Sequence, residues 1–175
     1  MKKVIVIGCP GSGKTTFSEK LNKCTGLPLF YLDAIWHKPD RTHISRDEFD
    51  RIMPEIFKKD KWIIDGNYNR TMETRIKACD TVFLFDLPTD ICLQGATDRL
   101  GKSRYDVPWI DTKLDPVFKK QIEDFREKSL PDIYKLLNKY RNEKNIIIFK
   151  SRQQAEIFLN KVINMDKNLI EKLTV

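Results

Sequence analysis

A chain of 175 residues that is 41% apolar has the material for one substantial hydrophobic core and too little for two independent domains. Its 32 basic and 25 acidic residues leave a formal net charge of +7, which suits a polyanionic partner, nucleotide or nucleic acid, without choosing between them. The four cysteines form no C-x-x-C pair, so neither a disulfide framework nor a zinc site is expected and a reducing cytoplasm is, and no apolar stretch reaches the length of a membrane span.

The first apolar run, Val4 to Ile7, reads as a buried strand and leads directly into Gly8-Cys9-Pro10-Gly11-Ser12-Gly13-Lys14-Thr15, a complete G-x-x-x-x-G-K-[ST] phosphate loop. A helical pattern follows from Thr15 to Lys23. Lys2-Lys3, the apolar run and Cys9 imitate a lipoprotein signal, but the run is too short for one. Glycines leave the peptide N–H groups free of side chains and able to form an anion nest, and the helix that starts there points its positive end at the same charge. Gly8, Pro10, Gly11, Ser12, Gly13, Lys14, Thr15 and Thr16 are therefore the predicted triphosphate-binding residues, with Lys14 reaching the β- and γ-phosphates and Thr15 ligating Mg²⁺. The same helix end is expected to favour a Cys9 thiolate that bound nucleotide shields.

The second apolar run, Leu29 to Leu32, ends at Asp33, whose carboxylate is expected in the crevice as base or orienting group for an acceptor hydroxyl; a helix-capping role stays open. A long polar connection with Trp36 and His37 precedes a helix over Arg46 to Lys59, for which Ser45 and Glu48 form a capping box. Trp36 is expected to stack on a base or to anchor its loop. The third run, Trp62 to Ile64, ends at Asp65-Gly66, where an acid would order the water shell of magnesium or cap the next turn. Just beyond it, Asn67 and Arg70, and less strongly Arg75, are candidates for contacting the acceptor together with Asp33, Trp36 and Asp65.

After a short helix over Thr71 to Lys77 comes the fourth run, Val82 to Phe85, then Asp86, expected to cap the helix Thr89 to Arg99 or to serve the loop before it. Arg99 and Arg104 bracket Gly101-Lys102-Ser103 at the mouth of a polar, Trp109-bearing segment and read as lid arginines, since a planar guanidinium neutralises a moving phosphoryl group best. A long helical stretch from Asp115 to Tyr140 should break or kink at Pro131. The fifth run, Ile146 to Phe149, precedes a last helix from about Arg152 that continues, with interruption, into the tail. Five apolar runs without polar alternation, separated by helices, predict strands buried on both faces in a doubly wound parallel sheet, with the ligand crevice at their carboxyl ends.

These residues give the chain a resemblance to the adenylate-kinase-like branch of P-loop kinases over essentially its full length: the phosphate loop, the acid after strand two, Ile63-Ile64-Asp65-Gly66, and the pair Arg99 and Arg104. More narrowly, IGCPGSGK, WIIDGNY and IIIFKSR look like bacterial DNA topology modulation proteins. The resemblance implies one α/β domain over residues 1–175, a three-layer P-loop sandwich with a five-stranded parallel sheet in the order 2-3-1-4-5. It also implies an acceptor-side insertion at about 34–60, a lid at about 101–114, ATP between phosphate loop and lid, and adenine near Lys150-Ser151-Arg152. Arg99 and Arg152 join the nucleotide-binding set on this basis, and Lys14, Asp33, Arg99 and Arg104 form the catalytic set.

The chain also departs from that pattern. Adenylate kinases carry Asp-Gly-Phe-Pro-Arg after the third strand, whereas Asp65 is followed by Gly66-Asn67-Tyr68-Asn69-Arg70, which puts Arg70 one position late. Their acceptor-side threonine and arginine have no clear counterpart between Asp33 and Ser45. AMP, another nucleotide and a small hydroxyl compound are all open as acceptors. The first functional reading is a cytoplasmic, ATP- and Mg²⁺-dependent small-molecule kinase, and the second is a nucleotide-dependent regulator of DNA topology. Lysines interspersed with acids, and no helix-turn-helix or basic arm, predict at most weak, sequence-independent DNA binding. Monomer and dimer stay equally open.

Overall fold

The computed structural model describes residues 1–173, with side-chain surroundings to residue 164. Its strands are β1 (Lys3–Gly8), β2 (Leu29–Tyr31), β3 (Trp62–Asp65), β4 (Thr81–Phe85) and β5 (Asn145–Phe149). All pair in parallel, in the order β2-β3-β1-β4-β5. The helices are α1 (Lys14–Thr25), α2 (Leu32–Trp36), α3 (Arg46–Phe57), α4 (Asn69–Ala78), α5 (Thr89–Thr97), α6 (Pro116–Asp124), α7 (Leu130–Lys139) and α8 (Arg152–Leu173). Parallel strands need crossovers, and helices supply them on both faces, which is why the apolar runs carry no alternation. Among the described residues no helix is long and apolar enough to cross a membrane.

Full burial holds for β3 and β4 and for all but the first residue of β1, whereas β2 is only half-buried and β5 begins exposed. The outer strands each have a neighbour on one side only, so the expectation of five equally buried strands fails at both edges. Register lines up the carboxyl ends: Asp65 lies beside both Val6 and Tyr31, and Phe85 beside both Gly8 and Phe149. Side chains that leave these ends meet along one edge of the sheet.

An aromatic cluster fixes where α1 begins. Phe17 meets Phe83, Phe85 and Phe149 edge-on at ring distances of 4.9, 5.4 and 5.4 Å, and Phe158 of α8 packs on Phe83 at 5.0 Å. Each such pair adds roughly 0.5–1.5 kcal/mol beyond its buried area. The cluster lies one turn past the phosphate loop and ties the loop's helix to β4 and β5.

Helix ends follow local chemistry. Ser45 Oγ accepts from the Glu48 N–H at 3.1 Å, as the capping box requires, and Asp115 does the same for Phe118 at 2.9 Å with Pro116 in the first turn. The expected break at Pro131 takes a particular form. Proline has no N–H and its ring crowds the carbonyl four residues back. The Leu130 N–H instead reaches Phe125 O, five residues back, and Phe125–Ser129 forms a π-helical turn between α6 and α7. Two boundaries differ from expectation. Strand β2 ends at Tyr31, so Asp33 stands in the first turn of α2 and does not end a strand. The last helix runs without interruption to Leu173.

Candidate nucleotide and acceptor site

The phosphate loop is held from three sides. Gly8, Gly11 and Gly13 have φ of 137°, 78° and 102°, in the region that favours glycine. At Gly11 sterics demand glycine as well, since an added Cβ would lie 2.1 Å from the Cys92 carbonyl oxygen on α5. Asn67 grips the start of the loop with both ends of its amide: Gly8 N donates to Oδ1 at 2.9 Å, and Nδ2 donates to Gly8 O at 2.6 Å. On the α8 side, Arg152 Nη2 donates to the carbonyls of Gly11 at 2.9 Å and Ile91 at 3.3 Å, and Nε to that of Ser12 at 3.4 Å. Asn67, predicted to contact the acceptor, and Arg152, predicted to contact the nucleotide, both line the cleft, and each also holds the loop in place.

Lys14 folds across the loop and donates to Cys9 O at 2.8 Å. Burial depresses its pKa, against the pull of Asp65, Cys9 and Asp33. Beside it Asp65 is 5% exposed; the Thr15 hydroxyl donates to Oδ2 at 2.7 Å, and Oδ1 is buried with no partner. Burial pushes the Asp65 pKa up to about 7 against Lys14 and the Thr15 hydrogen bond, and Asp33 and Asp106 push it further. An orphaned carboxylate oxygen next to a threonine hydroxyl suits a hard divalent cation that keeps most of its water. Among the described residues no three His, Cys, Asp or Glu side chains form a metal cage.

Across the cleft, Tyr68 Oη donates to Asp33 Oδ1 at 2.9 Å from a backbone at φ 39°, an uncommon conformation for a side-chain-bearing residue. What holds it there is Arg75, which is fully buried. Its guanidinium donates to the carbonyls of Gly66 at 2.7 Å, Asn67 and Tyr68 at 3.1 Å, and to Thr71 Oγ1 at 3.2 Å. Burial lowers its pKa to about 9 against the pull of Cys79, Tyr68 and Asp65. Arg75 therefore shapes the β3–α4 loop and grips no acceptor. Arg70, predicted to contact the acceptor, pairs with Asp50, donates to Arg46 O at 3.2 Å and is not among the residues that line the cleft. Trp36 lines the cleft, but its face already stacks on His43 at 4.5 Å, with Phe49 and Tyr68 edge-on at 5.5 and 5.9 Å. It anchors its loop.

The segment after α5 covers the other wall. Arg104 makes a two-pronged bond to Asp106, Nε to Oδ1 at 2.9 Å and Nη2 to Oδ2 at 2.5 Å, with Asp111 at 3.9 Å. Arg99 lies over the Phe118 ring at 4.9 Å, its pKa lowered by burial and by Arg104. Trp109 donates to Asp111 Oδ1 at 3.0 Å, meets His37 edge-on at 5.2 Å and carries the Arg41 guanidinium at 5.5 Å. Through these contacts the segment touches the connection after α2. The cleft between the walls is about 1380 Å³. This exceeds the ~300–1,000 Å³ of a single small-molecule site and leaves room for two ligands.

Two further expectations are corrected. Asp86 caps no helix: α5 starts at Thr89, with Pro88 as N-cap and no side-chain cap hydrogen bond, and Asp86 instead accepts from Arg126 at 3.0 Å, Tyr134 at 2.6 Å and Lys150. It fastens the end of β4 to α7 and β5. Cys9 is 3% exposed, its thiol aimed at Ile122 O at 3.9 Å, away from the loop's nest. The Cys92 thiol and burial push its pKa up, which removes the expected thiolate. Sequence reasoning missed Tyr68, Arg75 in its actual role, and Asp106. Only Asp106 left a signal, two residues from an arginine inside a polar segment.

The sheet order, with the phosphate loop after β1 and helices on both faces, is the three-layer fold of P-loop kinases. No family model matches the chain. It is 27% identical over 88 residues to the adenylate kinase of Thermotoga petrophila, a match covering 49% of this chain and 39% of that enzyme's length. It is 25% identical over 217 residues to the adenylate kinase of Rickettsia africae, across 93% of this chain and 99% of that one. Among solved structures, shikimate kinase from Acinetobacter baumannii in complex with shikimate superposes with a TM-score of 0.60 at 15% identity, covering 96% and 94% of the two chains.

Proposed function

We propose that this chain is an ATP- and Mg²⁺-dependent kinase that phosphorylates a hydroxyl group of a small molecule, working as one domain over residues 1–175 with an acceptor side near 34–60 and a lid near 101–114. The observation that carries the reading is convergence: Lys14, the Thr15–Asp65 pair, Asp33 and the arginines Arg99 and Arg104 all line one cleft of about 1380 Å³, with room for two ligands. A relative named as an adenylate kinase, matched over 93% of this chain, supports the kinase part of this reading.

On ATP binding, Lys14 gives up the Cys9 carbonyl for the β- and γ-phosphates. Thr15 and Asp65 are the residues that would hold the cation. That ion, when bound, neutralises charge on the phosphates. Asp33, oriented by Tyr68, takes the proton of the acceptor hydroxyl as its oxygen bonds to the γ-phosphorus; the bond from that phosphorus to the bridging oxygen breaks, and ADP leaves. Arg104, released from Asp106, meets the moving phosphoryl group.

The DNA-topology reading finds less support. Lysines along α6 and the π-turn pair with acids on the same face, Lys119 with Glu123, and Lys120 and Lys128 with Asp124, while Lys139 of α7 reaches Glu73. A neutralised mixed surface suits a polyphosphate backbone poorly. The test is Lys14→Ala. MgATP affinity by calorimetry should fall at least about tenfold and γ-phosphate transfer should vanish, with far-ultraviolet circular dichroism unchanged. Undiminished affinity and transfer would refute the assignment.

A further inference from the structure

Four consecutive residues at the end of β3 and just beyond it reach four different parts of the cleft. Asp65 accepts from the Thr15 hydroxyl at 2.7 Å. Gly66 lies so close to Leu32, the residue before Asp33, that an added Cβ would be 2.9 Å from the Leu32 Cβ, and its N–H donates to Val6 O of β1 at 3.1 Å. Asn67 closes both ends of its amide on Gly8, where the phosphate loop begins, and Tyr68 donates to Asp33. The phosphate loop and the acceptor base are thus tied to neighbouring residues of one short loop.

The shape of that loop depends on a side chain outside it. Gly66 has φ of 134° and Tyr68 of 39°, and the carbonyls of 66, 67 and 68 converge on one guanidinium, that of the fully buried Arg75 on α4. Thr71 Oγ1, which accepts from Arg75 Nε at 3.2 Å, donates to Tyr68 O at 3.3 Å and closes the ring of contacts. A planar fork with five N–H donors can serve three carbonyls at once, whereas a lysine ammonium is a point charge on a flexible stem. The Tyr68 ring is fixed as well, stacked on Phe49 at 5.1 Å and edge-on to Trp36 at 5.9 Å.

We infer, building on the kinase reading above, that Arg75 is a positioning residue for phosphoryl transfer: by pinning residues 66–68 it fixes Gly8 and Asp33 relative to each other and so sets the approach of the acceptor oxygen to the γ-phosphorus. Reacting atoms need to be held about 3–3.5 Å apart, a tolerance that two walls moving independently would not keep. Asn67 carries the constraint to the triphosphate side, and Tyr68 carries it to the base. Arg75 touches neither ligand, and its effect on the chemistry passes through both.

The test is a double-mutant cycle on the full chain. ADP release from MgATP is followed with water as acceptor and with ribonucleosides, nucleoside monophosphates, sugar alcohols and hydroxy acids; calorimetry with a non-hydrolysable ATP analogue gives affinity and the number of competent sites. Tyr68→Phe keeps the ring and loses the bond to Asp33, so it should lower kcat about tenfold with analogue affinity within about twofold of wild type. Arg75→Lys should weaken analogue binding about fivefold and lower kcat per competent site about tenfold. Adding Tyr68→Phe to Arg75→Lys should then cost less than about twofold more, because the hydroxyl has already left Asp33. A second tenfold loss overturns the inference, as does an Arg75→Lys protein that melts lower but keeps wild-type kcat per site. Thr71→Val cuts only the hydroxyl between Arg75 and the Tyr68 carbonyl and serves where Arg75→Lys folds poorly; it should lower kcat about threefold, again less than additively with Tyr68→Phe, and an additive or absent effect overturns the inference. Wild type that binds no analogue, or turns over no MgATP with any acceptor, overturns the kinase reading and this inference with it, whereas additive costs overturn the inference alone.

Discussion

Replacing Asp65 with asparagine separates what the buried acid does for the fold from what it does for a ligand. With its pKa at about 7 against an ordinary 3.8, the native carboxyl stays protonated while the unfolded chain has already released its proton. Stability from this group is therefore complete below about pH 3.8 and is lost progressively as pH rises to about 7, where both states are charged. At about 1.36 kcal/mol per unit, the whole excursion is worth about 4 kcal/mol. Asparagine still accepts the Thr15 hydrogen bond and removes the buried charge, although Lys14 loses a favourable neighbour. The loss of that neighbour does not change with pH, so the ligand-free variant is expected to gain on wild type by about 2.7 kcal/mol from pH 5 to pH 8, about 1.36 kcal/mol for each of the two units below pH 7, or about 5–11 °C in melting temperature for a domain of this size. Scanning calorimetry without nucleotide across that range reads the gap directly, and MgATP added at pH 8 should stabilise wild type more than the variant. A gap that stays constant or narrows with rising pH would refute the claim that Asp65 carries an uncompensated buried charge.

Other outcomes follow from the same geometry. Arg104→Ala should leave ATP affinity near wild type and lower turnover about a hundredfold, as expected of a group that meets the phosphoryl charge mainly in the transition state; steady-state kinetics beside calorimetry separates the two, and full turnover would make residues 101–114 something other than a lid. The same variant strands the buried Asp106, so its melting temperature should fall where Arg104→Lys keeps it. Gly95→Ala places a Cβ 2.2 Å from both the Gly11 carbonyl oxygen and Arg152 Nη2, so nucleotide affinity should drop at least about tenfold although residue 95 touches no phosphate. Cys9 should alkylate more slowly than the half-buried Cys24 in the native protein, with MgATP making little difference to Cys9; mass spectrometry of timed iodoacetamide reactions resolves the sites, and strong selective protection of Cys9 would restore the thiolate expectation.

By itself the sequence determined the elements whose causes are local. The phosphate loop is contiguous, its glycines and Lys14-Thr15 are spaced by one backbone turn, and the strands on either side of the cleft are apolar runs, so the β1–loop–α1 unit and the strand-end position of Asp65 were legible without a fold. Ser45 and Pro131 were legible for the same reason, since caps and missing N–H groups act within four or five residues. The tertiary structure alone decided which polar groups were still available. Asn67, Arg70, Arg75 and Arg152 all looked like ligand contacts, and each is committed to a carbonyl, an amide or a carboxylate, most of them in another element. Asp86 looked like a cap and became the anchor between β4, α7 and β5 because Lys150 and Tyr134 arrive there from about fifty or more residues away. A buried charge must find its partner wherever the packing brings one, and that partner has no fixed offset along the chain. Sequence spacing therefore brought Asp33, Trp36, Asp65 and Asn67 to the cleft as well as the phosphate loop, but not the partners those side chains find in distant elements, nor the position of Arg70 outside it.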